Sequence, residues 1–510
     1  MKSVASRPAL QRTILISAGS SLFAIALGIP FAGSMAGCGG HAVTGPSGNT
    51  TVTLFITGTA NDRLLSFWVG LNTLTLTSQS GTQVDLLSSP ILPEFLHVNG
   101  TIEPYLTVSI PQDTYTSATA TSGGGYAACD IFDSNRPGID SIVYNAAAPA
   151  AVNIALPSPI VVTGANMGLV LNSLVTQSAV VPGNCALAGS YFYSSYTPTF
   201  VLTPLIVSGQ PTNSANGKAL RLEGMIASVD ANGSGFSLAR MYDQPVGQTV
   251  TWQVTSSAST TYQGVSGFSQ LAVGMPVDMD ASVQIDGSLL ASRVAIYDTN
   301  TANLTEVDAP LLNTNTTLSR QGIATDGLLD VADITADGIS QGSVLGHLPL
   351  WDYSGATFQV SGQLSNVANL PFAPSFGSSN IVPGQHIVAT THDTAHDIYS
   401  VNGYSGATTI TLVPQTVNGT VSAVGSQGGF ATYTVTLAPY DIFPAFAVQP
   451  GQATLLTNPN TVVVYADSNT AMLNTAPIAV GNVVRFYGLV FNDNGTLRMD
   501  CAQVMDGVPE

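Results

Sequence analysis

The sequence predicts an all-β protein, with an N-terminal β-sandwich followed by three tandem small β-barrels. Three observations predict this class. Short runs rich in Val, Thr and Leu alternate apolar and polar side chains, as in Val52–Ile56 and Leu74–Leu76. Fifty glycines and 29 prolines separate such runs, and helical periodicity is hard to find in most of the chain. Glycine-centred patterns recur about every 97 residues in the C-terminal part, which indicates a repeating unit.

Composition limits the class of protein. The chain has 510 residues, which is long enough for several domains, and 45% of them are apolar. Only 8% are charged, against about 25% in an average protein. Twelve basic and 30 acidic residues give a net charge of −18, which excludes a nucleic-acid binder that works by neutralising phosphates. The apolar content also argues against a disordered acidic chain.

The N-terminal residues are typical of an export signal. Lys2, Arg7 and Arg12 precede an apolar stretch from Ile14 to Phe31, and small residues follow up to Cys38. This pattern resembles a bacterial lipoprotein signal over residues 1–37. The resemblance implies cleavage before Cys38, a lipid on Cys38, and anchoring in the outer membrane, since Gly39 rather than Asp follows. The alternative is an uncleaved N-terminal membrane anchor.

Residues 38–50 are predicted to form a flexible tether, and residues 51–207 have the size of a β-sandwich. A polar, breaker-rich linker is predicted at 208–218. Cys129 and Cys185 both lie in the predicted sandwich, and the compartment outside the cytoplasmic membrane is oxidising. We therefore expect a disulfide between them, and we expect Cys501 to be a buried, inert thiol.

The predicted barrels span 219–305, 306–411 and 412–510, and the middle copy is the most divergent. Glycines are predicted to open the first strand of each copy, and a second set lies at the centre of each copy. The opening set is Gly224, Gly322 and Gly419, and the central set is Gly274, Gly384 and Gly481. Phe236, Phe358 and Tyr433 are placed in the second strands. Asp286-Gly287 and Asn494-Gly495 are typical of tight hairpins. About five strands in each copy favour a small closed barrel of the OB-like kind.

On these motifs, residues 219–298 and 412–506 resemble a bacterial domain family of unknown function, found as tandem repeats in envelope lipoproteins. Residues 51–130 resemble a second family of unknown function with a β-sandwich, through Val52–Thr57, Phe67–Val69 and Asn99–Pro104. Both resemblances rest on turns and strands. They imply a fold and no catalytic residues.

The densest polar group in the sequence is a candidate metal site made of His392, Asp393, His396 and Asp397. A His-x-x-x-His pair shares a face only on a helix, whereas this stretch is predicted to be a loop between strands. The glutamate of a zinc protease motif is absent. We therefore interpret these residues as polar turn residues and expect no metal and no other cofactor.

These observations predict an exported, lipid-anchored envelope protein with a non-enzymatic binding or scaffold role. Its partners would be the membrane, through the N-terminal lipid, and a glycan or another envelope protein. The alternatives are a polysaccharide-binding module, favoured by the aromatic group Tyr191–Tyr196, and a polysaccharide or metal-dependent hydrolase. The ligand and the oligomeric state stay open.

Overall fold

The computed structural model describes residues 48–59, 66–96, 98–132, 139–146, 151–180, 195–205, 218–240, 251–284, 288–315, 320–323, 334–336, 339–340, 350–353, 355–364, 367–392, 404–437, 441, 443–444 and 456–507. Strands dominate this part of the chain, so the prediction of an all-β fold is confirmed. None of the helices in the described ranges combines the length and the apolar character that crossing a membrane requires.

The N-terminal region is a two-sheet sandwich. One sheet has the order β4-β1-β9-β12-β7, and the other has the order β3-β2-β5-β6 with β8 beside β5. Their apolar faces meet in one core that includes Leu54, Phe67, Tyr105 and Phe200. Its elements are β1 (Asn49–Gly58), β2 (Ser66–Ser78), β3 (Gln83–Asp85), β4 (Glu103–Pro111), β5 (Thr114–Phe132), β6 (Ile139–Ala146), β7 (Asn153–Ala155), β8 (Ile160–Val161), β9 (Asn166–Ser173), α1 (Val175–Ser178), β10 (Ala179–Val180), β11 (Ser195–Tyr196) and β12 (Thr199–Leu205).

The next strands form the first barrel. The sheet order is β15-β14-β13-β17-β18-β16, and a parallel pairing between β15 and β18 closes the sheet on itself. Closure leaves no long unpaired edge among these strands. The strands are β13 (Lys218–Val229), β14 (Gly235–Arg240), β15 (Thr251–Thr255), β16 (Thr261–Gln263), β17 (Pro276–Val283) and β18 (Leu289–Ala295), with a 3₁₀ turn at Phe268–Gln270.

The last strands repeat this topology. Their order is β30-β29-β28-β32-β33-β31, with a closing parallel pair between β30 and β33. The strands of this third barrel are β28 (Gln415–Gln427), β29 (Phe430–Leu437), β30 (Thr461–Ala466), β31 (Ala471–Met472), β32 (Val483–Asp493) and β33 (Thr496–Asp506).

The middle sheet follows the same plan with a split final strand. Its order is β24-β27-β25-β19-β20-β23-β26, and β23 pairs in parallel with β26 as β15 does with β18. The strands of this second barrel are β19 (Thr305–Asn315), β20 (Arg320–Ile323), β21 (Ile334–Ala336), β22 (Ile339–Ser340), β23 (Leu350–Asp352), β24 (Thr357–Val360), β25 (His386–Thr391), β26 (Tyr404–Gly406) and β27 (Thr409–Leu412), with a 3₁₀ turn at Val367–Asn369.

One backbone contact recurs in all three barrels and aligns them residue by residue. The amide of the central glycine donates to a carbonyl of the opening strand, in the pairs Gly274–Ile226, Gly384–Leu311 and Gly481–Val421, at 2.7 to 2.8 Å. Each of these glycines has φ between +88° and +94°, a region that side chains with a Cβ avoid. The predicted equivalence of the three central glycines is therefore confirmed.

The same alignment shows that two sequence-based assignments are wrong. Gly322 lies in β20, the second strand, and Ala309 of β19 occupies the position of Gly224 and Gly419. Phe358 lies in β24, which pairs in parallel with the final strand β27, and not in the second strand. Ala309 lies 85 residues after Gly224 and 110 residues before Gly419, so equal spacing along the sequence compares different strands. The division into separately folding domains stays a prediction.

Neighbouring regions share parts of their cores. Phe55, Ile102 and Leu205 of the sandwich belong to the core of the first barrel. Val382, in the turn before β25, is fully buried in the core of the third barrel. The candidate site lies where β13 of the first barrel meets β19 of the second, through the contact of Arg221 with Asp308.

Candidate functional site

The site is built around Arg221 in the first strand of the first barrel. The pairing of β13 with β17 shifts register between Ala219 and Leu222, and Arg221 lies in this irregularity with φ of +50°. A positive φ is uncommon for a residue with a branched or long side chain and persists where the surroundings hold it. Here the Arg221 amide donates to Oδ1 of Asp280 at 2.9 Å.

The Arg221 guanidinium contacts three carboxylates from two barrels. Its Nε lies 3.2 Å from Oδ2 of Asp278, and its Nη2 lies 3.0 Å from Oε1 of Glu223. The same Nη2 also pairs with Oδ2 of Asp308 in β19 of the second barrel. A planar guanidinium has five donors in a fixed arrangement, so it can satisfy several carboxylates at once.

A second arginine completes the ion pairs inside the first barrel. Arg293 of β18 donates from Nε to Oδ2 of Asp280 at 2.8 Å, and its Nη2 pairs with Asp278. The Tyr297 hydroxyl donates to Oδ2 of Asp278 at 2.7 Å. Asp278 and Asp280 are two residues apart on β17, so both side chains lie on the same face of the sheet.

The second and third barrels add neutral and ionisable partners. Nε2 of His386 in β25 lies 2.5 Å from Oδ1 of Asp308. Gln363 donates to Oδ1 of Asp280 at 3.1 Å and accepts from the Tyr487 hydroxyl of β32 at 3.3 Å. The first and second barrels therefore contribute to one group, which we call the junction cluster and define as Arg221, Glu223, Asp278, Asp280, Arg293, Tyr297, Asp308 and His386. Gln363 links this cluster to Tyr487 of the third barrel.

The charged members of the junction cluster are almost completely shielded from water. The side chains of Arg293, Asp278 and Asp308 are 4%, 2% and 5% exposed. Such burial disfavours charge, and only close opposite charges compensate it. Although burial opposes it, Asp308, Asp278 and Glu223 keep the pKa of Arg221 above its ordinary value. Burial likewise opposes ionisation of Asp278, but Arg293 and Arg221 lower its pKa.

Chemically, the cluster is a set of paired charges, although Nη1 of Arg293 has no hydrogen-bond partner among the described residues. Its carboxylates accept from arginine and tyrosine side chains, and a ring nitrogen of His386 lies beside Asp308. In the described part of the chain, no three His, Cys, Asp or Glu side chains are arranged to hold a metal ion. The pair of Arg221 with Asp308 joins the first barrel to the second.

The structure gives His392, one of the four predicted metal-ligating candidates, a different role. Nδ1 of His392 lies 2.8 Å from the Ala302 carbonyl, and Nε2 lies 2.8 Å from Oδ2 of Asp298. Both neighbours are acceptors, so both contacts are hydrogen bonds only in the doubly protonated ring, which offers no lone pair to a metal. Burial opposes this charge, yet the two hydrogen bonds raise the pKa of His392. The other candidates, Asp393, His396 and Asp397, lie outside the described residues.

The cysteines fall into two groups. Cys501 is a buried free thiol in β33, as predicted, and burial raises its pKa. Cys129 lies in β5, but Cys185 and the predicted lipidation site Cys38 lie outside the described residues. The Cys129–Cys185 disulfide stays a prediction, which peptide mapping without reductant can test.

Of the aromatic residues in the predicted group Tyr191–Tyr196, the structure describes Tyr196. The Tyr196 hydroxyl donates to the Gly124 carbonyl at 3.0 Å, and its ring packs against the sandwich core. This residue therefore supports the core and does not form an exposed stacking surface. Tyr191, Phe192 and Tyr193 lie outside the described residues.

Sequence reasoning missed the junction cluster, although two signals pointed to it. Asp278 and Asp280 alternate with Met279 and Val277 on a strand that is otherwise apolar. Arg221 and Arg293 are two of only 12 basic residues in the whole chain, and both lie next to predicted strands, which the structure extends to include them. Charges within buried strands of a charge-poor chain require partners.

Comparison with known proteins identifies one segment. Residues 223–295 match the family model "Domain of unknown function (DUF5666)". The match begins inside β13 and ends with β18, so it covers most of the first barrel, including Glu223, Asp278, Asp280 and Arg293 of the junction cluster. A search of the curated proteins gives no match. The resemblance of residues 51–130 to a second family stays a prediction.

Proposed function

We propose that this protein is a non-enzymatic, lipid-anchored component of the cell envelope that presents a binding or scaffold surface on tandem β-barrels. The observation that carries the scaffold role is the junction cluster. Its acids, arginines and histidine pair with one another across the first and second barrels, and such pairs resist separation because breaking one leaves a buried charge uncompensated. Barrels joined in this way are expected to form a rigid scaffold, whereas a hinged protein needs barrels that move relative to one another.

The pairing of the carboxylates in the cluster separates this proposal from the hydrolase alternative. A general acid or base must reach the substrate proton within hydrogen-bond distance. Asp278, Asp280 and Asp308 instead accept hydrogen bonds from Tyr297, Arg293 and Arg221. Support for a scaffold is therefore stronger than support for catalysis at this site.

The anchoring part of the proposal rests on the N-terminal sequence. A basic start, an apolar stretch and small residues before Cys38 support export and lipidation. The test is replacement of Cys38 by Ser, followed by detergent phase partitioning of cell extracts. We expect the wild-type chain in the detergent phase and C38S in the aqueous phase. Equal partitioning of the two into detergent would contradict lipidation at Cys38.

The binding role has its own test. The full chain would be used to capture partners from an envelope fraction and, separately, from purified envelope polysaccharides. Saturable binding to either, with no turnover of the polysaccharide, supports the proposal. Release of shortened saccharides by the purified chain would contradict it and favour the hydrolase alternative.

A further inference from the structure

Glu306 is a buried carboxyl group beside the junction cluster that takes no part in its ion pairs. It lies on β19, two residues before Asp308, so both side chains lie on the face that meets the first barrel. Glu306 is 9% exposed, and the described residues give its Oε2 no hydrogen-bond partner. Burying an ionised carboxylate without hydrogen-bond partners is unfavourable. The free energy of the packed contact therefore depends on whether Glu306 carries a proton.

The charges that face Glu306 are mostly of its own sign. Asp308 lies on the same strand, Asp278 approaches from β17, and Asp298 approaches from the segment after β18. Arg221 is the cation among the groups acting on Glu306, but it is already shared between Glu223, Asp278 and Asp308.

The carboxylates around Glu306 also have other partners. His392 pairs with Asp298, and Tyr297 donates to Asp278. Burial and the three neighbouring carboxylates together raise the pKa of Glu306 to about 8.

We propose that Glu306 is a proton-controlled switch in the contact between the first and second barrels. With its proton, Glu306 is compatible with the packed contact. Without it, an additional negative charge lies among Asp308, Asp278 and Asp298, and the contact loosens. The inference concerns this contact alone and does not depend on lipidation or on any ligand.

The sign of the pH effect follows from linkage. In the unfolded chain the Glu306 pKa is near its ordinary value of 4.5, and in the folded chain it is about 8. Between these two values the folded state binds more protons than the unfolded state, so stability falls as pH rises and levels off above about pH 8. Loosening of the packed contact itself should begin as the folded pKa is passed.

The test compares two glutamates of the same interface. E306Q mimics the protonated side chain, whereas E223Q removes a charge that accepts from Arg221 at 3.0 Å. At pH 7, E306Q should raise the folding equilibrium constant, by at most roughly 300-fold, because each pH unit above the unfolded pKa contributes a factor of ten. E223Q should lower the same constant roughly ten- to hundredfold, since it weakens a buried charged hydrogen bond.

Two measurements on the full chain in detergent give the readout. Denaturant unfolding between pH 5 and 9.5 measures the slope of stability with pH, which should be steeper in wild type than in E306Q. Hydrogen exchange, corrected for the intrinsic effect of pH, should show faster exchange in β17 and β19 of wild type above pH 8. The exchange rate of β1 in the sandwich should not change above pH 8. In E306Q, the faster exchange of β17 and β19 should be absent.

The proposal is overturned if E306Q lowers stability at every pH, because Glu306 would then be ionised and needed as an acceptor. It is also overturned if E306Q keeps the wild-type pH slope and the alkaline increase in exchange. Stabilisation of wild type by added Ca²⁺ that E306Q lacks would equally refute it, since the carboxylate would then serve a cation.

Discussion

Replacement of Arg221 by Met tests whether the junction cluster holds the barrels together. The substitution keeps an unbranched side chain of similar length but removes the cation that Glu223, Asp278 and Asp308 share. Removing one partner of a buried ion pair typically destabilises a protein by about 3–5 kcal/mol, because the remaining charge stays buried. The Arg221 side chain is 13% exposed, so solvent screening reduces this figure little.

The assay is equilibrium unfolding of the full chain in guanidinium chloride, followed by tryptophan fluorescence. Trp252 is buried in the first barrel and Trp68 in the sandwich, so the signal covers both regions. We expect the transition to move to lower denaturant by an amount equivalent to about 3–5 kcal/mol. A double-mutant cycle with D308N should show a coupling of about 0.5–3 kcal/mol, since the two side chains contact each other.

The matched control is R498M in the third barrel. Arg498 pairs with Asp493 at 2.7 Å, but both side chains are more exposed, at 25% and 19%. The ion pair itself contributes about 1 kcal/mol or less. Arg498 also contacts the Tyr465 hydroxyl and lies over the rings of Phe372 and Tyr465, so R498M also removes a cation–π contribution of about 0.5–1 kcal/mol. If R221M costs no more than R498M, or shows no coupling to D308N, the junction cluster does not determine stability and the reasoning about a rigid support fails.

Three further predictions follow from the fold. The hydrogen bonds of His392 raise its pKa, so protonated His392 should stabilise the folded chain below about pH 6.5 and lose this effect as pH rises. The variant H392N should therefore show a flatter pH dependence of the melting temperature between pH 5 and 8.5. G384A should lower the melting temperature more than G481A: both glycines have positive φ, but a Cβ at Gly384 would lie 2.6 Å from the Phe443 ring, whereas nothing lies within 4 Å at Gly481. A fragment of residues 412–510 should fold with a cooperative melt, as the sequence predicts, but at lower temperature than a 361–510 fragment, since Leu370, Phe372 and Val382 cover the third barrel. Equal melting temperatures of the two fragments would contradict the last prediction.

The sequence alone determined the features that depend on neighbouring residues. The alternation of apolar side chains predicts the strands, and Asn494-Gly495 predicts a hairpin, which the structure contains with φ of +50° and +88°. The central glycines Gly274, Gly384 and Gly481 were aligned correctly for the same reason. A turn with positive φ requires glycine whatever the rest of the fold is.

The tertiary structure decided how the strands and charges combine. Gly322 was assigned to an opening strand because spacing along the chain does not reveal where an insertion lies, and only the pairing of β19 with β25 shows that Ala309 holds that position. Arg221 and Asp308 are far apart in sequence, and so are His392 and Asp298. Whether such charges are solvated or buried depends on which barrel faces meet. The sequence therefore determined the all-β class and its turns, whereas packing between barrels created the junction cluster, because burial is a property of the whole fold and not of any local segment.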